Sequence, residues 1–450
     1  MKRFSTLYLV SSLLTLSLSH AAVPFQLTDS SPGSAEFRER FLGNYGMLSE
    51  LEPSVSVQDK PLFVRVEPFL RNNPQQAIQV LESALNNESS PAFRFLLGSL
   101  YYQTSRYGQA EQNLRMAVKA FPSFRRAYRT LGLIYVQNNR YPEAITAWLK
   151  VISLGGGDAQ SYGLLGYAYL TEGKYQSALS AYQMARMFKP DSVDFRRGEA
   201  QSLLETGQYR QAAALFEELI AEQPTVPDTW LLQANTFLQL ERYDEAIANL
   251  EVVHSMGAGS RDSRFLLGNL YLRAENYRPA LQAYQAGLSQ PGELNVTSAL
   301  KPLDYLIGRG LIAESRVYLQ DLQQRLPATL TPEQQDQLAL AEAQIERRSD
   351  DSAAAMAVLK PLVERNPLQG EALLLIAELE LEAEHYEEAV FYLQRAQSLP
   401  EHKVDALVAL GRLEVARDDF AAALKHLRAA QEIEARTGVA RYIRSIEQAL

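Results

Sequence analysis

Cysteine is absent from the 450-residue sequence. A chain without cysteine has no disulfide framework, no thiolate metal site and no thiol for lipid attachment. Its stability must therefore come from the packing of side chains. A chain of this length can supply that packing, because buried area accumulates as helical units are added.

Histidine is scarce, and the few histidines do not form a metal-binding pattern. The spacing His-Glu-x-x-His does not occur among them. The five residues are His20, His254, His385, His402 and His426. We therefore predict no metal site and no cofactor.

Two further features resemble catalytic motifs only superficially. The glycine run at 155–157 lies in a turn between helices, and Gly173-Lys174 lacks the Ser or Thr that completes a phosphate-binding loop. Seven glutamates crowd residues 371–388, but a catalytic pair of carboxylates needs a desolvated cleft that separates the two pKa values. Glutamates this dense are typical of a solvated surface. The sequence predicts no catalytic residue, and we do not expect an enzyme.

Long apolar runs are also lacking, since a bilayer span takes about 20 residues. The apolar run near the start covers only residues 4–18, follows Lys2 and Arg3, and precedes Ser19-His20-Ala21. A basic start, a short apolar run and small residues together are typical of a secretory signal peptide. We predict a signal peptide at residues 1–21, no transmembrane segment after its cleavage, and export to the periplasm of a Gram-negative bacterium or secretion.

A period of 34 residues runs through the middle of the chain. Small residues recur at that step, at Gly98, Gly132, Gly166, Ala200, Ala234 and Gly268. Each is followed twelve residues later by Ala, and most are followed three residues later by Tyr. A fixed period of this length indicates a solenoid of stacked helix pairs. We expect Gly and Ala where two helices come close, while Tyr, Leu, Trp148 and Phe216 fill the wider gaps.

The pattern resembles that of the tetratricopeptide repeat family, which combines Leu-Gly, a Tyr three residues on, an Ala opening the second helix and a terminal Pro. The first clear unit carries it in Leu97, Gly98, Tyr101, Ala110, Leu114, Ala117 and Pro122, and the last in Leu410, Gly411, Ala423, Leu427 and Ala430. The resemblance implies an all-α, right-handed superhelical solenoid with a concave groove, here with about ten antiparallel helix-pair repeats and a C-terminal capping helix. It does not identify a ligand.

The mature chain divides into five segments. Residues 22–62 have no sustained helical period and are predicted to be a partly ordered arm, whose apolar residues either cap the array or dock on a partner; capping is the simpler role. Residues 63–293 hold the first repeat array and residues 333–435 the second. Between them, the proline-punctuated residues 294–332 form a degenerate repeat, which predicts a hinge or a subdomain boundary. Residues 436–450 are amphipathic, as expected of a capping helix.

Charge is unevenly distributed along the chain. The net charge of −9 becomes −11 when Lys2 and Arg3 are removed. Residues 91–190 contain 12 Lys and Arg against 4 Asp and Glu, whereas residues 331–450 contain 13 against 22. A nucleic-acid partner is not expected, because the pI is about 5.3 and the basic residues form no known reading motif. The basic stretch favours an acidic protein segment, with anionic lipid or lipopolysaccharide as the alternative.

The repeat register predicts which residues of the first helices face the groove. The polar and aromatic residues selected there as the candidate binding site are Tyr102, Arg126, Arg129, Tyr167, Arg197, Gln201, Asn235 and Asn269. Arg, Gln and Asn can satisfy the backbone amides or carboxylates of an extended peptide, and Tyr adds apolar contact. Simple solvation of a surface face is the alternative for each Arg. Phe95 and Ser99 stand where chaperone-binding members of the family would have Lys and Asn, so their carboxylate clamp is not expected.

These features together predict a non-enzymatic scaffold of the bacterial cell envelope that binds a segment of a partner protein in the groove of residues 91–290. The alternative, which resemblance to envelope repeat proteins allows, is a scaffold that handles exopolysaccharide or peptidoglycan, and Tyr102 and Tyr167 could stack on its sugars. The resemblance alone implies a third role, as an accessory of an outer-membrane energy-transduction or assembly complex. Peripheral association with the envelope is compatible with all three.

Overall fold

The computed structural model describes Pro53 and residues 59–86, 89–327 and 329–449. The predicted signal peptide lies outside the described residues, as does the predicted arm except for Pro53 and residues 59–62. The described part of the chain is all-α and contains 23 α-helices without a strand. None of these helices has both the length and the apolar character needed to cross a membrane.

The helices are numbered in chain order, and the chain divides into two compact units after Asn249, within α12. The helices up to this point are α1 (Lys60–Val66), α2 (Pro74–Ala84), α3 (Pro91–Gln103), α4 (Tyr107–Ala120), α5 (Arg125–Gln137), α6 (Tyr141–Ser153), α7 (Ala159–Thr171), α8 (Tyr175–Phe188), α9 (Val193–Glu205), α10 (Tyr209–Glu222), α11 (Pro227–Gln239) and α12 (Tyr243–Ser255).

The remaining helices are α13 (Arg261–Arg273), α14 (Tyr277–Leu288), α15 (Val296–Gly308), α16 (Ile312–Gln323), α17 (Pro332–Arg348), α18 (Ser352–Arg365), α19 (Gly370–Glu382), α20 (Tyr386–Gln397), α21 (Lys403–Ala416), α22 (Phe420–Ile433) and α23 (Thr437–Ala449). Helices α3 to α22 form ten consecutive pairs, whose first and second members we call A and B helices. The predicted all-α solenoid of about ten helix pairs with a terminal helix is confirmed.

The turn inside each repeat follows one backbone pattern. In the third repeat, Gly173 has a φ of 69°, and the amides of Gly173 and Lys174 donate to the carbonyls of Leu170 and Tyr169 at 3.1 and 2.9 Å. This is the Schellman arrangement, which satisfies the last carbonyls of a helix and favours glycine at the left-handed position. Residues at the same place in other repeats also have positive φ, at Ser105, Asn139, Gly207, Glu241 and Glu275. The recurrence of this turn fixes the 34-residue step.

The recurring small residues pack against the large residue found 16 positions later on the B helix. A Cβ added at Gly132 would lie 2.7 Å from the ring of Trp148, and one added at Gly268 would lie 2.3 Å from Tyr284. The same contact joins Gly98 to Leu114, Gly166 to Tyr182 and Gly411 to Leu427. The expectation that small residues mark close approach of the two helices is confirmed, because a larger side chain would push the B helix away.

Several predicted segment boundaries can be compared with the helices. Helix α1 begins at Lys60, inside the predicted arm, and it buries Phe63 and Val66. The degenerate repeat at 294–332 folds as the pair α15 and α16, in which the buried Tyr318 hydroxyl donates to the Ala299 carbonyl at 2.9 Å. The hinge proposed there stays a prediction. Helix α23 packs on α22 and lies within the predicted capping segment.

Candidate interaction surface

The A helices of the first unit form a continuous layer. Helix α3 contacts α5, α5 contacts α7, and α7 contacts α9. We call the exposed face of α3, α5, α7, α9 and α11 the A surface. It carries Tyr102, Arg126, Arg129, Tyr167, Arg197, Gln201 and Asn235, and all of these side chains are half-buried. The structure therefore places the predicted residues of this unit on successive A helices, with Tyr167, Gln201 and Asn235 at one repeat position and Arg129 and Arg197 at another.

Arg126 is held by the preceding repeat. Its guanidinium lies over the ring of Phe95, 4.9 Å from the ring centroid. The Phe95 ring is itself buried and packs on Phe124, with 4.9 Å between centroids. A cation over an aromatic face is stabilising by about 0.5–1 kcal/mol at such sites. Arg126 therefore covers the contact between the first and second repeats, in addition to any role toward a ligand.

Arg129 is held by the following repeat. Its guanidinium donates to the Asp158 carboxylate at 2.9 Å and to the Gln160 side-chain oxygen at 2.5 Å. Asp158 also caps α7, because its carboxylate accepts from the backbone N–H and the hydroxyl of Ser161 at 2.7 and 2.8 Å. Asp158 directly follows the glycine run at 155–157 and was not identified from the sequence. The signal that could have found it is an Asp placed three residues before Ser161 at the start of a helix.

The pKa of the Asp158 carboxyl reflects opposing effects. Burial raises it, but the hydrogen bonds from Ser161 and the charge of Arg129 outweigh burial and hold the pKa below its usual range. A lowered pKa means that the ionised carboxylate is favoured in the folded chain. The ionised Asp158 carboxylate therefore stabilises the fold fully above the ordinary Asp pKa of about 4. This stabilisation is lost as the pH falls through the lower pKa that Asp158 has in the folded chain.

Asp158→Asn should therefore lower the free energy of unfolding by about 0.5–1 kcal/mol at neutral pH, since Asn keeps the helix cap but cannot pair with Arg129. The difference from the wild type should begin to shrink as the pH falls below about 4 and should vanish below the lowered pKa of the folded Asp158 carboxyl. Chemical denaturation across this pH range measures it. A difference that persists at the acid end would contradict the ion-pair explanation.

Arg197 lies at the same repeat position as Arg129, two repeats further on, but it lacks the acidic partner. The residue 29 positions after Arg129 is Asp158, whereas the residue 29 positions after Arg197 is Val226; both stand at the N-cap of an A helix. Arg197 makes a single long contact, 3.5 Å to the side-chain oxygen of Gln223. Its buried Nε has no hydrogen-bond acceptor among the described residues.

Gln201 and Asn235 continue the A surface beyond Arg197. They occupy the same position in consecutive repeats, and their half-buried amides make no hydrogen bond to the described residues. Tyr167 occupies that position one repeat earlier and contacts Tyr141 edge-on, with 6.0 Å between centroids. Tyr102 meets Tyr107 at 5.8 Å. The A surface thus has an aromatic and ion-paired first half and an amide-lined second half.

Asn269 lies on α13, in the second unit. Its side-chain oxygen accepts from the Tyr284 hydroxyl at 2.6 Å, and burial raises the pKa of that tyrosine far above its usual range. Asn269 therefore positions a core tyrosine. Among the residues that the structure describes, no three His, Cys, Asp or Glu side chains are grouped as a metal ion would require.

Comparisons with known proteins agree with this architecture. A family model described as tetratricopeptide repeat matches residues 71–123, 95–159, 129–193, 197–255 and 340–403. No curated protein matches the chain.

Solved structures similar to the chain include three repeat proteins. MamA from Desulfovibrio magneticus is 16% identical over 36% of this chain and 93% of its own, with a TM-score of 0.35. A tetratricopeptide repeat protein from Parabacteroides merdae is 16% identical over 55% and 97%, with a TM-score of 0.36. YrrB, described as having an unusual peptide-binding site, is 18% identical over 46% and 98%, with a TM-score of 0.37.

The matched segments cover more than half of the chain and fall on its helix pairs. The protein therefore belongs to the tetratricopeptide repeat family, whose stacked helix pairs serve as scaffolds for protein–protein interaction.

Proposed function

We propose that the protein is an exported scaffold that binds an extended segment of a partner protein along the A surface of the first unit. The observation that carries this proposal is the hydrogen-bonding capacity left unused by three neighbouring half-buried side chains, Arg197, Gln201 and Asn235. Among these groups the Nε of Arg197 is buried without an acceptor, and an unsatisfied buried polar group costs about 1–3 kcal/mol. A bound peptide would supply the missing partners.

The chemistry of these side chains suits an extended backbone. Each amide of Gln201 and Asn235 offers both a donor and an acceptor, as a peptide unit does. Their equivalent positions in successive repeats present those groups at a regular interval along the array. A ligand in extended conformation can bond to both, because its own amides also recur regularly.

An acidic residue in the ligand would complete the site. Arg197 forms no salt bridge with the described residues, because its one hydrogen bond goes to the side-chain oxygen of Gln223 and Asp194 acts on it through charge alone. A carboxylate of the ligand would pair with this guanidinium in a partly desolvated setting, where charge-assisted hydrogen bonds are strong. Tyr167 would add apolar contact one repeat earlier.

The cell envelope is the compartment that we propose for this interaction. The signal peptide expected at residues 1–21 supports it, and so does the absence of cysteine from the whole sequence, which removes any dependence on redox conditions. The mass of the protein recovered from a periplasmic fraction tests this part separately. A mass that still includes residues 1–21 would contradict export by a cleaved signal.

Site-specific photo-crosslinking in cells would identify the partner. A photoreactive amino acid in place of Tyr167 reports on the A surface, and the same amino acid at the exposed Gln112 of α4 is the control. Attachment of one protein segment at position 167 alone supports the proposal. Attachment of glycan without protein at position 167 would overturn it in favour of the polymer-handling scaffold.

Replacing Gln201 and Asn235 together by Ala should weaken binding of that segment roughly tenfold or more, because two hydrogen bonds of about 1 kcal/mol each are lost. Titration calorimetry with the synthetic segment measures the change. The matched control replaces two exposed amides on B helices, Gln112 and Gln211. An equal loss of affinity in both double variants would rule out the A surface as the binding site.

A further inference from the structure

The outward side of three consecutive B helices changes charge from one repeat to the next. At two adjacent positions, α6 carries Leu149 and Lys150, α8 carries Gln183 and Met184, and α10 carries Glu217 and Glu218. These pairs are spaced by 34 residues, so they occupy equivalent places in successive repeats. We call this set the outer stripe of the first unit. The charge of the stripe is positive on α6, zero on α8 and negative on α10.

The charged side chains of the outer stripe form no salt bridge with the described residues. Lys150 and Glu217 have no oppositely charged partner there, and Glu218 acts on Arg196 through charge alone, since Arg196 is already paired with Glu222. Charged residues near the stripe do form salt bridges: Arg186 pairs with Glu199 and Arg196 pairs with Glu222, each at 2.5 Å. Arg–carboxylate pairs of this kind stabilise the array from inside. The outer stripe keeps its charges available.

Exposed apolar side chains lie in and beside the outer stripe. Met187, one turn beyond Met184 on α8, is 76% exposed, and Leu149 on α6 is 46% exposed. Phe188 is 54% exposed and stacks on Tyr162 with 5.9 Å between centroids. Large apolar side chains grouped on a surface mark contact with another molecule.

We propose that the outer stripe binds a second copy of this chain through a two-fold axis that runs parallel to α8, between the α8 helices of the two copies. Such an axis places α8 of one copy against α8 of the other, so that Met184 and Met187 meet their own counterparts. It also places α6 of each copy alongside α10 of its partner, with the two helices parallel. Lys150 then faces Glu217 and Glu218 on the other copy, twice in each dimer, which is the self-complementarity that a two-fold interface requires.

The side chains around the glutamates permit this approach. Ala214 and Ala221, one turn before Glu217 and one turn after, are exposed and short. They leave space for the longer Leu149 of the opposite copy beside the glutamate pair. An isologous contact thus joins opposite charges at its two ends and apolar residues at its centre, which resembles the polar rim and apolar middle of protein interfaces.

An anionic membrane fits the outer stripe less well than a second copy does. A bilayer surface that met both Lys150 and Met187 would also meet Glu217 and Glu218, one repeat further on, and would repel them. In the dimer, by contrast, Lys150 of each copy faces the two glutamates of the other copy, so the contacts at both ends are attractive. The inference does not depend on the A surface, which lies on the A helices.

Sedimentation velocity of the purified protein at low and high salt tests the dimer. We expect a monomer–dimer equilibrium that weakens with salt, because the end contacts are ionic. Lys150→Glu should weaken dimerisation at least tenfold, and so should the double change Glu217→Lys with Glu218→Lys. The triple variant that carries all three changes restores opposite charges at both ends and should restore the dimer.

The control is Lys60→Glu, an equal change of charge at the exposed first residue of α1, outside the outer stripe, and it should leave the dimer intact. A protein that is monomeric at all concentrations would overturn the inference. A dimer whose dissociation constant is unchanged by Lys150→Glu would also overturn it. Failure of the triple variant to recover the dimer would overturn the pairing of α6 with α10. Binding of the wild-type monomer to phosphatidylglycerol vesicles, lost in Lys150→Glu, would assign the stripe to a membrane instead.

Discussion

Gly198→Ala should destabilise the first unit by about 2 kcal/mol, although alanine is normally the better helix former by about 1 kcal/mol. Gly198 lies within α9, and a Cβ at this position would approach the Tyr182 ring to 2.2 Å from Cζ. Tyr182 has no space to retreat. It is only 2% exposed, and a Cβ at Gly166 on its other side would already lie 3.1 Å from the ring.

Thermal denaturation and hydrogen exchange of the α8 and α9 amides measure this effect. Gly108→Ala is the matched control, because it is also helical and its added Cβ would meet nothing within 4 Å. It should be neutral or stabilising by up to about 1 kcal/mol. Tyr182→Leu in the Gly198→Ala background should recover part of the loss. If both alanine variants are equally stable, the Tyr182 contact does not limit the helix spacing.

The comparison of Gly166 with Gly198 indicates how far the sequence could predict the fold. Gly166 belongs to the 34-residue pattern, so its role in close packing within a repeat was predictable. Gly198 falls outside that pattern, since its contact with Tyr182 joins one repeat to the next. Gly163 is another such case, because a Cβ there would meet Phe195 of the following repeat at 2.3 Å. Periodicity specifies each helix pair, but the fit between pairs depends on the stacking geometry.

The sequence predicted which residues occur on the A surface, but it did not predict which of their charges are paired. The register correctly placed Arg129 and Arg197 at equivalent positions, and it gave no reason to treat them differently. Their environments differ because the N-cap residue of the following A helix is Asp158 in one case, whose carboxylate pairs with Arg129, and Val226 in the other, which has no polar side chain. The residue 29 positions after each Arg lies in the next repeat. Its contact with the Arg can be recognised only when the stacking of the helix pairs is known. The structure thereby shifts the emphasis of the site toward Arg197, Gln201 and Asn235.

Trp148→Ala should destabilise the second repeat by about 3–5 kcal/mol, the usual cost of removing a large aromatic side chain from a core. Trp148 is fully buried and lies against Gly132, so the resulting cavity cannot be filled by a neighbouring side chain without moving α6. Its indole N–H has no acceptor among the described residues. Trp148→Phe should therefore cost only about 1 kcal/mol, because the loss of apolar area is partly offset by removal of an unsatisfied donor.

Trp230 is the matched control for Trp148, since these are the two tryptophans of the chain. Trp230 is half-buried, and its indole N–H donates to the Pro224 carbonyl at 2.9 Å, so Trp230→Ala should cost about 1 kcal/mol. Denaturant unfolding followed by circular dichroism compares the variants, and fluorescence of Trp230→Phe reports on Trp148 alone. Emission at the wavelength of a solvated indole would contradict the burial of Trp148. Because each repeat is stabilised by its immediate neighbours, the Trp148→Ala loss should appear as faster hydrogen exchange in α5 to α7 before it affects the α10 amides.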